Sequence, residues 1–592
     1  MHNGKHRILK VALIGFMALY LGRAVYEAIR LRWVSDDAFI SFRYALHLLR
    51  GQGLVFNAGE FVEGFTNFLW TLAVFCGLAL GLPAEQFSNA ISITMYLLLL
   101  SGLAWAGFRT GRPAKAPQTG PVHGRRQDNE MQSVALLITT LLLAGIHHMH
   151  VFATSGLETM AFAACVWAGI YSLWVRNRQA AGLWLLTLAC LLRPDGVIFL
   201  AFGYLSVSSG ILVQRLSSDN LFRRILINLA GKPPEAQPSK LPERSERPKT
   251  MTETGPGNEP QRRRTDPSRW RWLSGATIAL LAGPLIVLIL YQSWRLYYYQ
   301  SFFPNTFYAK SAYDPYPDQG VRYLALFYSS YFYLPVLMAI ATLAFLRKRQ
   351  LPHGLRPLLL TVVAWHGYII FVGGDFMFAR FLIPVLAPLC FFIGSGLSLG
   401  LRSILVKIDS RQPILTGSAF FTLVFLLALM PLLRIDPYKE LRASKRAPDI
   451  HGIVEERLYY PREVLEELSS RARQYRDVVR GSGLRLAFHG GAAFIIYYMD
   501  PVYALEASTG LTDRKLARQV LSERGKIGHE KEASLDYMKE RTVHIYMWPP
   551  EPSNEESAIR FQGFWEDWQI VTFDEGVFRT LLRHPGIGRV RP

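Results

Sequence analysis

The sequence predicts an α-helical polytopic membrane domain followed by a smaller soluble α/β domain, and three observations carry that prediction. Apolar runs long enough to enter a bilayer recur from residue 8 to residue 433. A formal charge of +20 sits in a chain of 592 residues that is 50% hydrophobic, with a mean hydropathy of +0.16. From about Arg434 onward the composition becomes that of a water-facing domain with short strand and helix signals. Nucleic-acid-binding domains rarely carry so many long apolar runs, so the charge belongs to basic loops beside spans and no nucleic-acid partner is expected. All four cysteines, Cys76, Cys165, Cys190 and Cys390, lie inside apolar runs, so neither disulfides in an exported part nor thiolate metal sites are expected.

The runs that could span are residues 8–29, 65–82, 88–108, 134–152, 159–175, 180–192, 197–213, 273–294, 324–346, 358–372, 381–401 and 414–433. The first follows a short basic leader, but no small-residue cleavage site follows it, so it reads as a retained span. If every run crossed the bilayer, the basic segments 109–126 and 215–271 would lie outside, against the positive-inside rule. Residues 65–82 are short and open on the polar Glu63-Gly64-Phe65-Thr66-Asn67. Demoting them to a half-inserted helix makes every basic cluster cytoplasmic at once. About eleven spans result, with the N-terminus cytoplasmic and residues 434–592 external, as expected of a bacterial inner-membrane protein. Residues 1–433 then form the membrane domain. Within it, residues 232–267 are rich in Pro, Glu, Arg and Gly without periodicity and read as a disordered cytoplasmic loop. In the external part, residues 484–489 read as a strand, Gly490-Gly491 as a turn, 492–498 as a helix, 536–541 as a helix end and 543–548 as a strand.

In this topology the polar residues at span ends gather on the external side. The first external loop carries Ser35-Asp36-Asp37-Ala38-Phe39-Ile40-Ser41-Phe42-Arg43-Tyr44, spaced as an amphipathic helix lying on the membrane surface. Asp36, Ile40, Arg43 and His47 share one face and Asp37, Ser41 and Tyr44 the adjacent one. Either acid alone could cap a helix, but two adjacent acids exceed what a cap needs. Further external points are Thr154-Ser155-Gly156-Leu157-Glu158, Arg193-Pro194-Asp195-Gly196, Pro304-Asn305-Thr306-Phe307-Tyr308-Ala309-Lys310 and Gly373-Gly374-Asp375 to Arg380. Arg193 and Asp195 suit a structural ion pair. Gly373-Gly374 should break the helix and let Asp375 and Arg380 face a cavity.

External chemistry without nucleotide donors fits a sugar carried on a lipid phosphate. Arg43, Lys310 and Arg380 are the candidate phosphate cations, and Asp36 or Asp37 is the candidate base for the acceptor hydroxyl. Glu63, Asn67, Glu158, Asn305 and Asp375 complete the candidate site. Aromatics of the external part, among them Tyr497, Tyr498, Tyr546, Trp548, Trp565 and Trp568, suit either core packing or glycan contact. A transporter of a lipid-linked sugar and a non-catalytic envelope scaffold are the rival readings.

The ordered set of these motifs, with Gly510-Leu511-Thr512-Asp513 and Gly528-His529-Glu530-Lys531, resembles the mycobacterial terminal arabinofuranosyltransferase family. The resemblance implies the GT-C fold of polyprenyl-phosphate-dependent glycosyltransferases, with an essential acid in the first external loop where Asp36 and Asp37 stand. It implies inverting transfer of arabinofuranose from a polyprenyl phosphate donor to a cell-envelope glycan acceptor. Some members of that wider superfamily hold a divalent cation on external carboxylates, and Glu158 lies where such a ligand could come from. Nothing in the sequence itself demands a metal, and no cofactor is assigned.

Overall fold

The computed structural model describes residues 2–110, 122–218, 275–349, 351–352, 354–405, 413–547, 560–562 and 567–583. Residues 232–267, Trp548 and Trp565 lie outside these. The helices in order are α1 (His2–Arg30), α2 (Asp36–Leu49), α3 (Phe68–Ala79), α4 (Ala84–Thr110), α5 (Val122–Gly145), α6 (His147–Phe152), α7 (Thr159–Ile170), α8 (Gln179–Leu192) and α9 (Val197–Ser218). Then come α10 (Gly275–Tyr299), α11 (Asn305–Ala309), α12 (Pro317–Ser330), α13 (Tyr333–Lys348), α14 (Leu355–Val372), α15 (Ile383–Leu405) and α16 (Pro413–Leu429). Each run expected from the sequence is helical over most of its described residues.

Among the described residues, the helices long and apolar enough to cross a membrane are Val11–Arg30, Ala84–Arg109, Leu355–Val372 and Arg380–Ser403. This is a multi-pass membrane protein. Shorter apolar helices, Phe68–Ala79, Thr159–Val175, Gln179–Leu192 and Phe421–Leu433, pack around them. At 1.5 Å per residue the twelve residues of α3 reach only about 18 Å, well short of a hydrocarbon core near 30 Å.

Two runs read as single spans are broken. Residues 324–346 form α12 and α13, bent by 87°. Pro335 is the cause: it has no N–H for the carbonyl of Tyr331 and its ring collides with that carbonyl in a continuous helix. The freed carbonyl of Ser330 instead accepts the amide of Ile435, 3.0 Å away. Residues 134–152 break at Ile146, whose backbone is extended. There Gly145 lies so close to Pro431 and the Tyr20 hydroxyl that no side chain fits.

The chain after α16 adds α17 (Lys439–Ala443), a hairpin of β1 (Asp449–Ile450) and β2 (Ile453–Val454), α18 (Arg462–Gly481), β3 (Arg485–Phe488), α19 (Ala493–Met499) and β4 (Tyr503–Glu506). It ends with α20 (Arg514–Ala517), α21 (Leu535–Glu540), β5 (Ile545–Met547), β6 (Arg560–Gln562), β7 (Asp567–Ile570) and α22 (Glu575–Leu582). The five-stranded sheet has the order β4-β3-β5-β7-β6, with β3 parallel to β4 and β5 and the β5–β7 and β7–β6 pairs antiparallel. The strand, Gly-Gly turn, helix and strand expected between residues 484 and 548 all form.

This α/β part is bolted to the helices. Asn57 exchanges two 2.9 Å hydrogen bonds with the backbone of Ala504. Val454 exchanges backbone bonds of 2.7 and 2.9 Å with Phe376 and Phe378. Asp500, with its side chain 2% exposed, collects Arg50, Arg476 and Arg480 at 2.7, 3.4 and 3.2 Å. Apolar residues of both parts belong to one continuous core.

Candidate functional site

The acids of α2 sit at its first turn because Ser35 is its N-cap residue; the Ser35 amide bonds the carbonyl of Ser155 at 2.9 Å and its hydroxyl donates to Glu456 at 2.9 Å. That ties the segment leading into α2 to residues 154–159 and to the α/β part. The Gly373-Gly374 pair ends α14 as expected: both have left-handed backbones, φ +86° and +84°, and a Cβ on Gly374 would lie 2.6 Å from the Tyr323 ring. The Tyr323 hydroxyl donates to the carbonyl of Met377 at 3.0 Å and accepts the amide of Phe381 at 3.2 Å, clamping the turn that presents Asp375 and Arg380.

A cavity of about 410 Å³ opens between α2, the residues before α3, the start of α7, the 193–198 turn, α11 and the Arg380 turn. Asp37, Asn67, Glu158, Arg193, Lys310 and Arg380 line it. At its hub Glu158, 1% exposed, accepts from Asn67 Nδ2 at 2.9 Å and from Arg193 and Arg380 at 3.3 Å each. Burial alone would raise this carboxyl, but the charges of Arg380 and Arg193 outweigh it and hold it below its usual range. Arg193 also pairs with Asp195 at 2.7 Å, the pair expected from sequence, and lies over the Phe381 ring at 4.9 Å. Arg380 reaches Asp375 at 3.5 Å and Asp37 at 3.8 Å. Lys310 lies 5.6 Å from the centre of the Phe376 ring and makes no ion pair among the described residues.

A second, smaller chamber of about 40 Å³ adjoins the first and shares Asp37, Ile40, Lys310 and Leu511 with it. Its remaining wall comes largely from the α/β part: Gly490, Gly491, Glu506, Thr509 and His529. Asp37 therefore stands at the junction of two spaces. The neighbouring acids are not equivalent. The Asp37 side chain is 30% exposed, whereas Asp36 is 5% exposed and accepts the Phe494 amide at 2.9 Å. Burial pushes Asp36 up to about 7 against that hydrogen bond. Burial also raises Asp37, while Lys310 and Arg380 pull it back.

Other expected site residues go elsewhere. Arg43 is the main correction. It does share a face with Asp36, but that face packs on the α/β part. Its guanidinium, 1% exposed, donates to the carbonyls of Phe56 and Pro501 at 2.9 Å each and Ile496 at 3.4 Å, beside Asp500 at 3.9 Å. With its donors taken by protein, it lines neither chamber. Asn305 donates to the carbonyls of Gly510, Leu511 and Asp513 at 2.8 to 3.1 Å, holding the GLTD segment in place. Glu63 is locked to Arg295 at 2.5 Å. Asp375, 1% exposed, faces Arg380, and neither of its oxygens has a hydrogen-bond partner among the described residues. Among the expected aromatics, Trp568 and Tyr546 are buried in the core, while Tyr497 and Tyr498 stay half-buried. His529 closes a turn onto the carbonyl of Lys526 at 2.9 Å and also lines the small chamber.

Sequence reasoning missed Glu456 and Glu506. Burial, then the charge of Asp37, raises Glu456 well above the carboxylate range. Glu506 accepts the amides of Ser508 and Thr509 at 3.2 and 2.8 Å. Neither carries a local signal, since only the docking of the α/β part brings them to α2. Among the described residues, no group of three or more His, Cys, Asp or Glu side chains could hold a metal ion. Around Glu158 the donor set is cationic, which does not fit a bound cation.

No family model matches the chain. It is similar to proteins named terminal beta-(1->2)-arabinofuranosyltransferase. One, from Mycobacterium tuberculosis, is 28% identical over 334 residues, 55% of this chain and 43% of the relative. Another, from Corynebacterium glutamicum, is 26% identical over 387 residues, 60% and 47% respectively. The matched region thus spans about half the length of these relatives. A crystal structure of ArnT from Cupriavidus metallidurans bound to undecaprenyl phosphate overlaps 84% of this chain and 87% of its own, with a TM-score of 0.44 and 13% identity, a level from which a shared fold does not follow.

Proposed function

We propose that this protein is a GT-C-type inverting glycosyltransferase that moves a sugar, arabinofuranose or one like it, from a polyprenyl phosphate to a cell-envelope glycan at the external face of the bacterial inner membrane. The observation that carries this reading is Asp37, placed between a cation-lined cavity and a chamber walled by the α/β part. Similarity to two proteins named arabinofuranosyltransferases supports the sugar class.

In this reading the lipid phosphate enters the larger cavity, where Lys310, Arg380 and Arg193 face it. The acceptor hydroxyl reaches Asp37 from the side of the smaller chamber, whose volume of about 40 Å³ admits a hydroxyl group but no whole sugar. Asp37 takes the hydroxyl proton, the oxygen bonds to the anomeric carbon from the face opposite the phosphate, and the bond from that carbon to the phosphate oxygen breaks. The lipid phosphate leaves with the electron pair and one more negative charge, which the cations stabilise. A carboxyl raised by burial is a stronger base than an ordinary aspartate, and the lysine and arginine beside it pull it part of the way back. Glu158 orients Arg193 and Arg380, and the two guanidinium groups occupy the ground a divalent cation would need.

The test is transfer of labelled sugar from a panel of synthetic polyprenyl phosphate donors to an envelope-glycan acceptor, by purified wild type, Asp37→Asn and Asp36→Asn. Removing the base should lower kcat by roughly 10²- to 10⁴-fold in Asp37→Asn, with a smaller loss in Asp36→Asn. Equal turnover by wild type and Asp37→Asn, or none with any donor, would overturn the reading.

A further inference from the structure

The Gly528-His529-Glu530-Lys531 segment brings to the small chamber a side chain for which the transfer step above has no task. We infer that His529 and the Gly490-Gly491 turn form a subsite for the acceptor sugar. The imidazole Nε2 takes a hydrogen bond from a hydroxyl next to the reacting one, and the ring of that sugar lies over the bare glycine backbone. This rests on the transferase reading and adds to it the group that recognises the acceptor.

Position comes first. Asp36, Phe488, Glu506 and Thr509 are buried walls of the chamber, whereas Gly491 is exposed and Gly490 and His529 are half-buried, so the chamber meets solvent between the glycine turn and the histidine. This mouth is narrow. A methyl group built on Gly490 would lie 3.7 Å from His529 Cδ2 and 3.5 Å from Ser508 Oγ, so a side chain there would close a passage that glycine leaves open to a hydroxyl. The turn is held from outside: the Gly490 amide donates to Ser508 Oγ at 2.8 Å, and the Tyr460 hydroxyl donates to the carbonyl of Gly491 at 3.0 Å.

Chemistry selects the ligand. Most polar groups around the mouth are engaged with protein: Glu506 accepts the amides and hydroxyls of Ser508 and Thr509, and Thr512 accepts the Glu506 amide at 3.2 Å. His529 is not. Its Nδ1 lies 3.4 Å from the Ile527 carbonyl, which favours the proton on that nitrogen and leaves Nε2 as an acceptor. Nε2 has no hydrogen-bond partner among the described residues, and it is not among the buried atoms left in that state, so a ligand can reach it. Burial, then the charges of Lys526 and Lys310, push the imidazole down to about 4, so it is neutral near pH 7. The Phe376 ring, edge-on at 5.1 Å, fixes its plane, and the Lys310 nitrogen lies 5.6 Å from the centre of the same ring. An imidazole nitrogen that only accepts and an ammonium that only donates suit neighbouring sugar hydroxyls, each of which does both. An ionised phosphate has no proton to give Nε2.

The test uses full-chain protein in neutral detergent, the polyprenyl phosphate donor that wild type turns over, and a synthetic arabinofuranose disaccharide as acceptor. His529→Ala should raise KM for the disaccharide roughly 5- to 10-fold, as loss of one hydrogen bond does, with KM for the donor unmoved and kcat falling less than roughly 2-fold. His529→Gln keeps a polar atom at similar reach and should recover most of the affinity. Calorimetric titration of the disaccharide should give the same ratio without turnover. An unchanged acceptor KM in His529→Ala would overturn the subsite, as would a fall in kcat alone. So would an equal loss in His529→Gln with a lowered melting temperature, the mark of a ring that only braces its turn. The two readings fail separately: a chain that is no transferase moves no sugar from any donor, while the disaccharide still binds wild type more tightly than His529→Ala. No disaccharide binding in that case would overturn the subsite as well.

Discussion

Asp36→Asn should stabilise the protein in alkali and leave it unchanged in acid. The folded state raises this carboxyl from 3.8 to about 7. A shift of about three units, at roughly 1.4 kcal/mol each, corresponds to roughly 4 kcal/mol between the protonated and ionised forms. The sign follows from the direction. A carboxyl raised on folding binds its proton more tightly in the folded state, so its contribution is fully present below the unfolded value near 4 and is lost as pH rises through 7. Between about pH 5 and pH 8, roughly 3 kcal/mol of it disappears. Asparagine does not titrate, keeps an oxygen for the Phe494 amide and fills the same space. The gap between variant and wild type should therefore widen by a few degrees of melting temperature from about pH 5 to pH 8, read by thermal melts of detergent-solubilised full chain. A gap that is constant with pH, or an asparagine variant that is the less stable at pH 8, would show that Asp36 carries no such burden and would refute the burial argument.

The pH dependence of transfer should report Asp37: since burial raises it, the acid limb of kcat should sit above the ordinary carboxylate range, and a limb near pH 4 would contradict the assignment. Glu158→Gln removes the charge shared by Arg193 and Arg380; we expect at least roughly a 10-fold fall in transfer with a loss of about 2–3 kcal/mol in stability, and unaltered transfer would count against the clamp. Asp500→Asn leaves Arg43 buried without its anionic neighbour, so melting should fall by the equivalent of about 3 kcal/mol, tempered by the exposure of Arg476 and Arg480, and limited proteolysis should release the α/β part faster. Gly374→Ala forces a side chain against the Tyr323 ring from a left-handed backbone, and should lower both stability and transfer, whereas Gly102→Ala, with open space around it, should do neither.

What the sequence revealed of this molecule is what short-range patterns encode. The α2 helix announced itself by spacing, the end of α14 by Gly373-Gly374, and the sheet by a strand running into Gly490-Gly491. The pairing of Arg193 with Asp195 needed only two residues of separation. The bend after Ser330 was legible too, in Pro335, but the apolar run through it read as one span. Arg43 went wrong for another reason: helical spacing gave its face correctly, but not that residues 496 and 501 would cover that face. Glu456 and Glu506 were hidden for the same cause. Carboxyls some 400 residues from α2 lie beside it only because distant surfaces dock, and no local signal records that.

The junction at Asp37 also fixes an order of assembly. Its walls come from distant parts of the chain: α2 emerges early from the ribosome, while Gly490, Glu506 and His529 follow hundreds of residues later. The turn bearing Arg380 leans on Val454, and Asp36 waits for the Phe494 amide. A growing chain therefore carries its acids and arginines in the membrane for most of its synthesis without an organised centre. An organised centre arrives only when the α/β part is seated against α2, so that docking acts as the checkpoint.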